Sequence, residues 1–432
     1  MEEKMELSPI QKFYSGKIIF VTGASGFMGK VLLEKLLYRC SDLTRIYILL
    51  RAKRGRSPEM RLDDMLKLPV FDRVRTNKPH VLSKIKVLPG DILEKNFGLS
   101  ESQQNLLINE VDIIFHFAAT LKLEAKLKDA IEMNAIGTAA VLELAKKIPK
   151  LKAFVHLSTA FCHVDQEELG ECVYDSPEDP NEVMRMTQWL KPEALETYSK
   201  RLAETLVANE YPKLPCVIAR PSIVTPSWEE PVPGWVDSLN GPVGIIVGAG
   251  KGVIRSVHCN GHYHAQLIPV DLAINALIAI SQTIGTTEQS MVHIQKRISD
   301  GLEVLQYFTT REWCFRNEQL IKLWQQMHPL DKKLFSIDFF AVEEAEYIKN
   351  IILGARVYCM KEKLETLPRA RFHLKIQYVV HLLAVYGFYF GVAWLIVKNF
   401  ESARLCLDFV TEKMKLLPII GRFVEKIAPV LK

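Results

Sequence analysis

The sequence predicts an α/β protein with a Rossmann-type, doubly wound parallel sheet, a C-terminal helical region and a membrane helix. Three observations lead to this prediction. A glycine-rich turn joins an apolar strand to an amphipathic helix near the N-terminus, further strand-and-helix units follow it, and one long segment near the C-terminus carries no formal charge. Repeated strand and helix units imply a parallel sheet with helices on both of its faces.

The glycine turn lies in residues 18–33, which read IIFVTGASGFMGKVLL. The first of its glycines allows a sharp turn, the second lets backbone approach a pyrophosphate, and the third lets the helix sit close to the strand. An ordinary strand-to-helix turn is the alternative, and the flanking strand and helix favour a cofactor site over it. The predicted cofactor-binding residues of this turn are Thr22, Gly23, Ser25, Gly26, Phe27, Met28 and Gly29.

The second predicted strand, RIYILL at residues 45–50, ends at Arg51. In a dinucleotide-binding fold this position reads the adenosine ribose, and an acidic residue there selects NAD through the 2′-hydroxyl. Arg51, Lys53 and Arg54 occupy the neighbourhood instead. We therefore predict an NADPH site with Arg51 near the 2′-phosphate, and solvated loop charges are the alternative.

Further candidates follow the next two strands, because ligands bind beyond the carboxyl ends of such strands. A polar segment with a helical pattern, residues 61–84, precedes a third strand at residues 86–88. Asp91 follows as a candidate contact to the adenine ring. The fourth strand covers residues 111–117, and the small residue Ala118 after it lets the cofactor's backbone pass close.

The remaining units extend the sheet. A helix that contains Asn134 is predicted to run to about Lys147, and residues 153–157 form a fifth strand that ends at Ser158 and Thr159. Residues 217–220 form a further strand. Residues 232–252 are rich in glycine and proline, and we expect an irregular region there on the substrate side.

Composition narrows the classes of function. At 432 residues the chain is long enough for two or more folding units, and its net charge of +5 is spread along the sequence, so no nucleic acid partner is expected. The eight cysteines stand singly, which suits reduced thiols facing the cytosol. The acidic N-terminus lacks an apolar segment, and we expect no cleavable signal peptide.

A cluster of possible metal ligands does not have the spacing of a zinc site. Its members fall within seven residues, and no second pair completes a set of four ligands. We therefore expect no metal at this cluster, which consists of His258, Cys259, His262 and His264.

The uncharged segment covers residues 376–397 and reads IQYVVHLLAVYGFYFGVAWLIV. As a helix its 22 residues would span about 33 Å, enough to cross a bilayer. Basic residues flank it on both sides, and four Tyr and Trp side chains suit the membrane interfaces. A buried core helix or a surface helix is the alternative. The final stretch, residues 405–432, has the composition of an amphipathic tail.

Together these landmarks resemble those of the fatty acyl-CoA reductases, which are extended short-chain dehydrogenase/reductases with a helical C-terminal region. The resemblance covers nearly the whole chain and implies reduction of a long-chain acyl-CoA, through an aldehyde, to a fatty alcohol with two NADPH per turnover. It also implies an endoplasmic reticulum or peroxisomal membrane, with the catalytic domain in the cytosol. The segments that carry it are TGASGFMGKVLLEKLL, LPVFDR, FHFAATLKLE, VHLSTAF, SKRLAE, ARPSIV, PGWVDSLNGPVG and FFAVEEAEYIKNIILGARVY.

The resemblance also implies the catalytic groups. The wider superfamily uses a Ser or Thr, a Tyr, and a Lys four residues after the Tyr. The Lys lowers the pKa of the Tyr and also holds the nicotinamide ribose. Thr159 matches the hydroxyl position, and Lys200 matches the lysine as both a catalytic and a cofactor-binding residue.

The tyrosine position departs from this pattern. Glu196, not tyrosine, stands four residues before Lys200, and the nearby Tyr198 would point about 200° around a helix from the lysine. Three explanations remain open. Tyr198 reaches the substrate because the helix starts later, Glu196 is a different proton donor, or the chain has lost reductase activity and kept the fold.

A second departure follows residue 292, where HIQKRISDGLEVLQYF joins the two halves of the chain more directly than in the family. The predicted domains are residues 1–296 for cofactor binding and catalysis, 297–368 for the helical region, and 369–432 for the membrane helix and tail.

Two other functions compete with the reductase. The first is a catalytically impaired membrane protein that binds NADPH or acyl-CoA as a sensor or partner. The second is a reductase of a steroid or nucleotide sugar. The C-terminal apolar helix argues against the sugar, and the match to the helical region argues against the steroid.

Overall fold

The computed structural model describes residues 6–120, 127–160, 168–174, 179–180, 182, 199–211, 213–254, 257, 265–286, 314–401, 405 and 408–410. The chain divides into two units, Met1–Lys361 and Glu362–Lys432. The described strands, in chain order, are β1 (Ile18–Thr22), β2 (Arg45–Leu50), β3 (Ile85–Pro89), β4 (Ile113–His116), β5 (Ala153–Leu157), β6 (Glu168–Leu169), β7 (Cys216–Ala219), β8 (Ile223–Thr225), β9 (Leu267–Pro269) and β10 (Cys314–Phe315).

Six strands form one parallel sheet with the order β3-β2-β1-β4-β5-β7. The chain builds outward from β1 in one direction through β2 and β3. It then returns to the other side of β1 with β4 and continues outward to β7. The order therefore reverses between β1 and β4, and a cleft at such a switch point is where open α/β sheets bind ligands. The predicted doubly wound α/β fold is confirmed.

The described α-helices of the first unit are α1 (Pro9–Tyr14), α2 (Phe27–Arg39), α3 (Pro58–Leu66), α4 (Asp72–Asn77), α5 (Glu101–Glu110), α6 (Leu127–Ile131), α7 (Gly137–Lys146), α8 (Ser199–Asn209), α9 (Pro242–Gly250), α10 (Val270–Thr286), α11 (Glu318–Gln326), α12 (Pro329–Leu334) and α13 (Glu344–Gly354). π-Helical turns cover Glu132–Ile136 and Ala355–Cys359, and short 3₁₀ turns cover Pro69–Phe71, Pro79–Lys84, Lys95–Gly98 and Phe339–Ala341.

Side chains of the sheet alternate between two cores because successive strand residues point to opposite faces. Ile19 and Val21 of β1 are buried on one face, with α2 and α10. Phe20, between them, is buried on the other face with α5, α7 and α8. The strands inside the sheet are thus covered on both faces, which explains their nearly continuous apolar sequences, whereas the edge strand β3 exposes Lys86 and Pro89.

The helix α9 corrects one prediction. The glycine and proline content of residues 232–252 predicts an irregular region, yet Pro242–Gly250 is helical. Pro242 occupies the first turn, where its missing N–H costs nothing, and Val243 is buried against α13. Tertiary packing of the Val and Ile residues outweighs the low helix propensity of the glycines between them.

Other boundaries shift by a few residues. The predicted strand 111–117 is restricted to Ile113–His116, and the helical segment 61–84 divides into α3, α4 and two 3₁₀ turns. The helix that contains Asn134 includes the π-turn Glu132–Ile136. The predicted amphipathic tail lies almost entirely outside the described residues.

The described part of the second unit forms the long helix α14 (Leu367–Asn399), preceded by the 3₁₀ turn Leu364–Thr366. The stretch Leu364–Asn399 has a mean hydropathy of 1.9 in its most apolar window, and none of that window is buried. By length and composition it is a candidate membrane span, and it includes the whole predicted segment 376–397.

A buried ion pair anchors α8 to the sheet. The guanidinium of Arg220, next to the end of β7, donates two hydrogen bonds of 2.9 and 2.8 Å to the carboxylate of Glu204. Both side chains are almost completely buried. Glu204 lies one helical turn after Lys200 on α8, so the pair fixes the helix that carries the predicted catalytic lysine.

Removal of this pair should destabilise the protein strongly. We expect Glu204→Ala to lower the free energy of unfolding by about 3–5 kcal/mol, because the guanidinium of Arg220 stays buried without its counter-ion. The matched control is Glu143→Ala, which removes one partner of the exposed Lys146 and should cost less than about 1 kcal/mol. Urea unfolding in detergent measures both, and equal effects would contradict the anchoring role.

Candidate functional site

The glycine turn packs directly against the end of β4. Gly23 has a φ of +73°, and a Cβ at this position would lie 2.5 Å from the carbonyl carbon of Phe117 and 2.6 Å from the amide nitrogen of Ala118. Only glycine fits this contact and this backbone conformation together. The turn is therefore held at the switch point between β1 and β4.

The third glycine has a slightly different role from the predicted one. A Cβ at Gly29 would lie 2.5 Å from the carbonyl oxygen of Gly23 and 2.7 Å from that of Ala24. The glycine thus lets the first turn of α2 pack against the backbone of the turn, which precedes the helix, and the contact is not with the strand itself.

The N-terminus of α2 faces the cleft and fits an anionic group. Its N-cap residue is Gly26, no described side chain caps the helix, and its first turn contains no acidic residue. The N–H groups of the first turn of a helix carry partial positive charge. An uncapped helix start beside a close-packed glycine turn is the arrangement that binds a cofactor pyrophosphate.

A cavity of about 560 Å³ opens at this edge of the sheet. Its lining comes from the carboxyl ends of β1, β2, β3, β4 and β5 and from the segment after β7. Ten predicted cofactor residues and the predicted catalytic hydroxyl lie along it. They are Thr22, Gly23, Ser25, Gly26, Phe27, Met28, Gly29, Arg51, Asp91, Ala118 and Thr159.

Basic side chains line the end of the cavity next to β2 and β3. The guanidinium of Arg51 forms an ion pair of 2.8 Å with the carboxylate of Asp91, so two predicted cofactor residues contact each other. Arg61, on α3, donates to the backbone carbonyl of Arg51 at 2.5 Å and to the hydroxyl of Ser25 at 3.1 Å. Lys53 also lines this end.

The dinucleotide-binding pattern of the sequence does not identify Arg61 as a cofactor residue. The signal for it is the sequence Ser57-Pro58, an N-cap followed by proline, which starts α3 and returns the chain to the glycine turn. Arg61 lies in the first turns of that helix, ten residues after Arg51 and outside the basic loop that follows β2.

A chain of hydrogen bonds supports the floor of the cavity. Thr22 and His116 are register partners on β1 and β4, and the hydroxyl of Thr22 lies 2.7 Å from Nδ1 of His116. Nε2 of His116 lies 3.0 Å from the hydroxyl of Thr138, which donates to the backbone carbonyl of Asn134 at 2.6 Å. The amide N–H of Ala118 donates to Thr22 at 3.3 Å.

These contacts determine the proton positions. Thr138 gives its proton to Asn134 and so accepts from Nε2–H of His116, whose Nδ1 then accepts from Thr22. Burial, together with the neighbouring His156, lowers the pKa of His116 well below its usual value, so the ring is neutral at physiological pH. A neutral ring satisfies both hydroxyls without placing a charge beneath the cofactor cleft.

Hydroxyl groups lie near the opposite end of the sheet. Ser158 and Thr159 follow β5, and the amide N–H of Ser158 donates to the backbone carbonyl of Ala219 at 2.8 Å. Both residues line the cavity. Lys200 lies in the first turn of α8, but its side chain is outside the described part of the structure, and so are Glu196 and Tyr198.

Metal ligation has no support in the described part of the chain, where no group of three or more His, Cys, Asp or Glu residues has the geometry to hold an ion. The cluster His258, Cys259, His262 and His264 lies outside the described residues.

Known proteins are similar to this chain in sequence and in fold. Residues 21–277 match the NAD-binding domain model described as male sterility protein, and residues 268–362 match a second model with the same description. The crystal structure of the terminal R domain from the myxalamid PKS-NRPS biosynthetic pathway matches with a TM-score of 0.52 at 20% identity, covering 79% of this chain and 91% of that one. This structural likeness supports the fold.

Curated relatives are more similar in sequence. Fatty acyl-CoA reductase 1 of Xenopus laevis is 32% identical over 84% of this chain and 89% of its own length. The human protein of the same name is 31% identical over the same shares, and fatty acyl-CoA reductase 2 of Bos taurus is 30% identical over 94% of this chain and 96% of its own. This chain belongs to the fatty acyl-CoA reductase family of male sterility proteins.

Proposed function

We propose that the protein is an alcohol-forming fatty acyl-CoA reductase that uses NADPH to reduce a long-chain acyl-CoA. The observation that carries the proposal is one shared cavity, whose lining includes the glycine turn, the basic residues after β2 and Thr159. A cofactor on the turn and a carbonyl near the hydroxyl would thus share one cleft. Membership of the reductase family supports the same reaction.

The choice of NADPH rests on charge at the ribose end. Arg51, Lys53 and Arg61 line the cavity there, with Asp91 as their acidic neighbour. The pair between Arg51 and Asp91 neutralises one cation and orients its guanidinium, which leaves a net positive site for a 2′-phosphate. An NAD site would place an acidic side chain on the ribose at the end of β2.

The chemistry needs a hydride and a proton at each of two steps. A bound nicotinamide supplies the hydride. The chain must stabilise and protonate the oxygen of the thioester and then of the aldehyde, with coenzyme A thiol leaving after the first step. In this proposal Thr159 donates a hydrogen bond to that oxygen, and Lys200 places a positive charge near the proton donor. The donor itself is Tyr198 or Glu196.

The candidate membrane span supports a location at a membrane. We propose that α14 anchors the chain in the endoplasmic reticulum or the peroxisomal membrane, with the cavity on the cytosolic side. We also propose functional domains at residues 1–296, 297–368 and 369–432.

A second function follows from one observation. Glu196 occupies the position of the family tyrosine, and a carboxylate at neutral pH is a poor proton donor unless it is buried. The alternative is therefore a membrane protein that binds NADPH or acyl-CoA and does not turn over.

Substitution at residue 196 separates these functions. We expect purified protein to form fatty alcohol from palmitoyl-CoA and NADPH, and Tyr198→Phe to reduce kcat at least about 100-fold if the phenol donates the proton. Glu196→Gln is the matched test of the carboxylate. Wild-type protein that binds NADPH without turnover, and gains activity from Glu196→Tyr, would establish the impaired form.

The relative affinities for NADPH and NADH test the proposed role of Arg51 at the basic end of the cavity. Arg51→Ala should lower NADPH affinity about 10- to 100-fold, because one charge-assisted hydrogen bond contributes about 1.5–3 kcal/mol, and should change NADH affinity by less than about threefold. The control Arg54→Asn removes a charge from the same loop outside the cavity, where Asn tolerates the φ of +52°. Fluorescence titration measures both, and equal losses for NADPH and NADH would refute the assignment.

Membrane insertion tests α14. The double substitution of Leu383 and Phe390 by Arg places two charges in the middle of the uncharged segment, at a cost of about 2.5–3.5 kcal/mol each. We expect this variant to leave the membrane on alkaline carbonate extraction. Leu374→Arg, beside Lys375 and outside that segment, is the control and should remain in the membrane. Extraction of the unmodified protein would exclude the span.

A further inference from the structure

The two ends of the cavity differ in chemistry. Arg51 and Asp91 follow β2 and β3 at one side of the sheet, whereas the segment after β7 lines the cavity at the other side. Neighbouring strands lie about 4.8 Å apart, so β2 and β7 are separated by about 19 Å. A dinucleotide that extends from the basic end to the hydroxyls after β5 leaves the far side open to the second reactant.

The far side is mainly apolar. It is formed by the segment between β7 and β8, by β8 itself, by the segment that follows β8 and by the first turn of α9. Its apolar members are Pro221, Ile223, Val224, Pro226, Val236, Pro242 and Val243. Ser222, Thr225, Ser238 and Asn240 are the polar residues of the same stretch of lining, and none of them is ionisable at neutral pH.

The helix α13 supports this wall from behind. Val236 and Val243 are buried in one cluster with Tyr347, Ile351 and Ala355. The phenol of Tyr347 donates to the backbone carbonyl of Pro226 at 2.8 Å. Burial raises the pKa of this phenol, so it remains a proton donor at physiological pH.

The backbones behind the wall are also in close contact. A Cβ at Gly234 would lie 2.1 Å from the carbonyl oxygen of Asn350, and a Cβ at Gly354 would lie within 1.6 Å of the carbonyl oxygen of Gly234. The segment before α9 therefore rests directly on α13, and Val243, which lines the cavity, packs on its buried side in the cluster that contains Tyr347 and Ile351.

We infer that this apolar wall is the subsite for the acyl chain, and that Val224 and Val243 limit how much of the chain it accepts. The inference rests on the proposed function for the identity of the ligand. A charged substrate would find no counter-ion in this stretch of lining, and a sugar would find few hydrogen-bond partners among its valines and prolines. An alkyl chain loses no hydrogen bond there, and each methylene removed from water raises affinity about fourfold.

Binding measurements test the subsite without requiring turnover. The probes are palmitoyl-CoA, octanoyl-CoA and unacylated coenzyme A, titrated in the presence of NADP⁺. We expect the full-length protein to bind palmitoyl-CoA at least about tenfold more tightly than octanoyl-CoA. Val224→Phe, which fills the cavity from β8, should remove most of this difference and leave the affinity for coenzyme A and NADPH unchanged.

Two further variants keep the test decisive. Val243→Ala removes two methyl groups from the wall and enlarges the cavity. The ratio of its affinities for palmitoyl-CoA and octanoyl-CoA should therefore be larger than that of the unmodified protein. The control Val253→Phe changes a side chain that is 80% exposed and outside the cavity lining, and it should change neither affinity. An unchanged NADPH affinity in each variant demonstrates that the fold is intact.

The outcomes distinguish the subsite from the reaction. Loss of affinity for all three probes by the same factor, or no change in chain-length preference in either cavity variant, overturns the acyl subsite. Chain-length-dependent binding without alcohol formation supports the subsite and overturns the proposed reductase activity instead.

Discussion

The contact between Gly23 and the end of β4 is the constraint on which the site depends. Because the backbone of Phe117 and Ala118 lies where a Cβ would be, the turn after β1 is seated at the point where the strand order reverses. The N-terminus of α2, the basic loop after β2 and the hydroxyls after β5 all face one cleft as a consequence. The hydrogen bonds of His116 on β4 stabilise the same junction, because they join it to Thr22 on β1 and to Thr138 on α7.

Much of this arrangement follows from local sequence. The strand β1 and the turn after it are predictable because an apolar run, three glycines and an amphipathic helix are consecutive, and parallel strands bring their carboxyl ends together. Ten predicted cofactor residues therefore line one cavity. Their roles in binding remain a prediction, as does the role of Thr159.

Other features depend on contacts between distant parts of the chain. The glycines of α9 argue against a helix in the sequence. The helix is stabilised because Val243 packs on α13, about 100 residues later. Arg61 reaches Ser25 only through the turn that begins α3, and the pairing of Arg51 with Asp91 joins the ends of two strands. Periodicity describes which face of an element is buried, but it does not identify the element packed against that face.

We propose that hydride transfer and acyl binding take place in the same cavity, with a departure from the family at the proton donor. The most direct test uses NADPH carrying deuterium at both hydrogens of nicotinamide C4, with palmitoyl-CoA as substrate and mass spectrometry of the product. We expect hexadecanol with two deuterium atoms on C1, one from each reduction. Binding of both ligands without any deuterium in alcohol or aldehyde would contradict it.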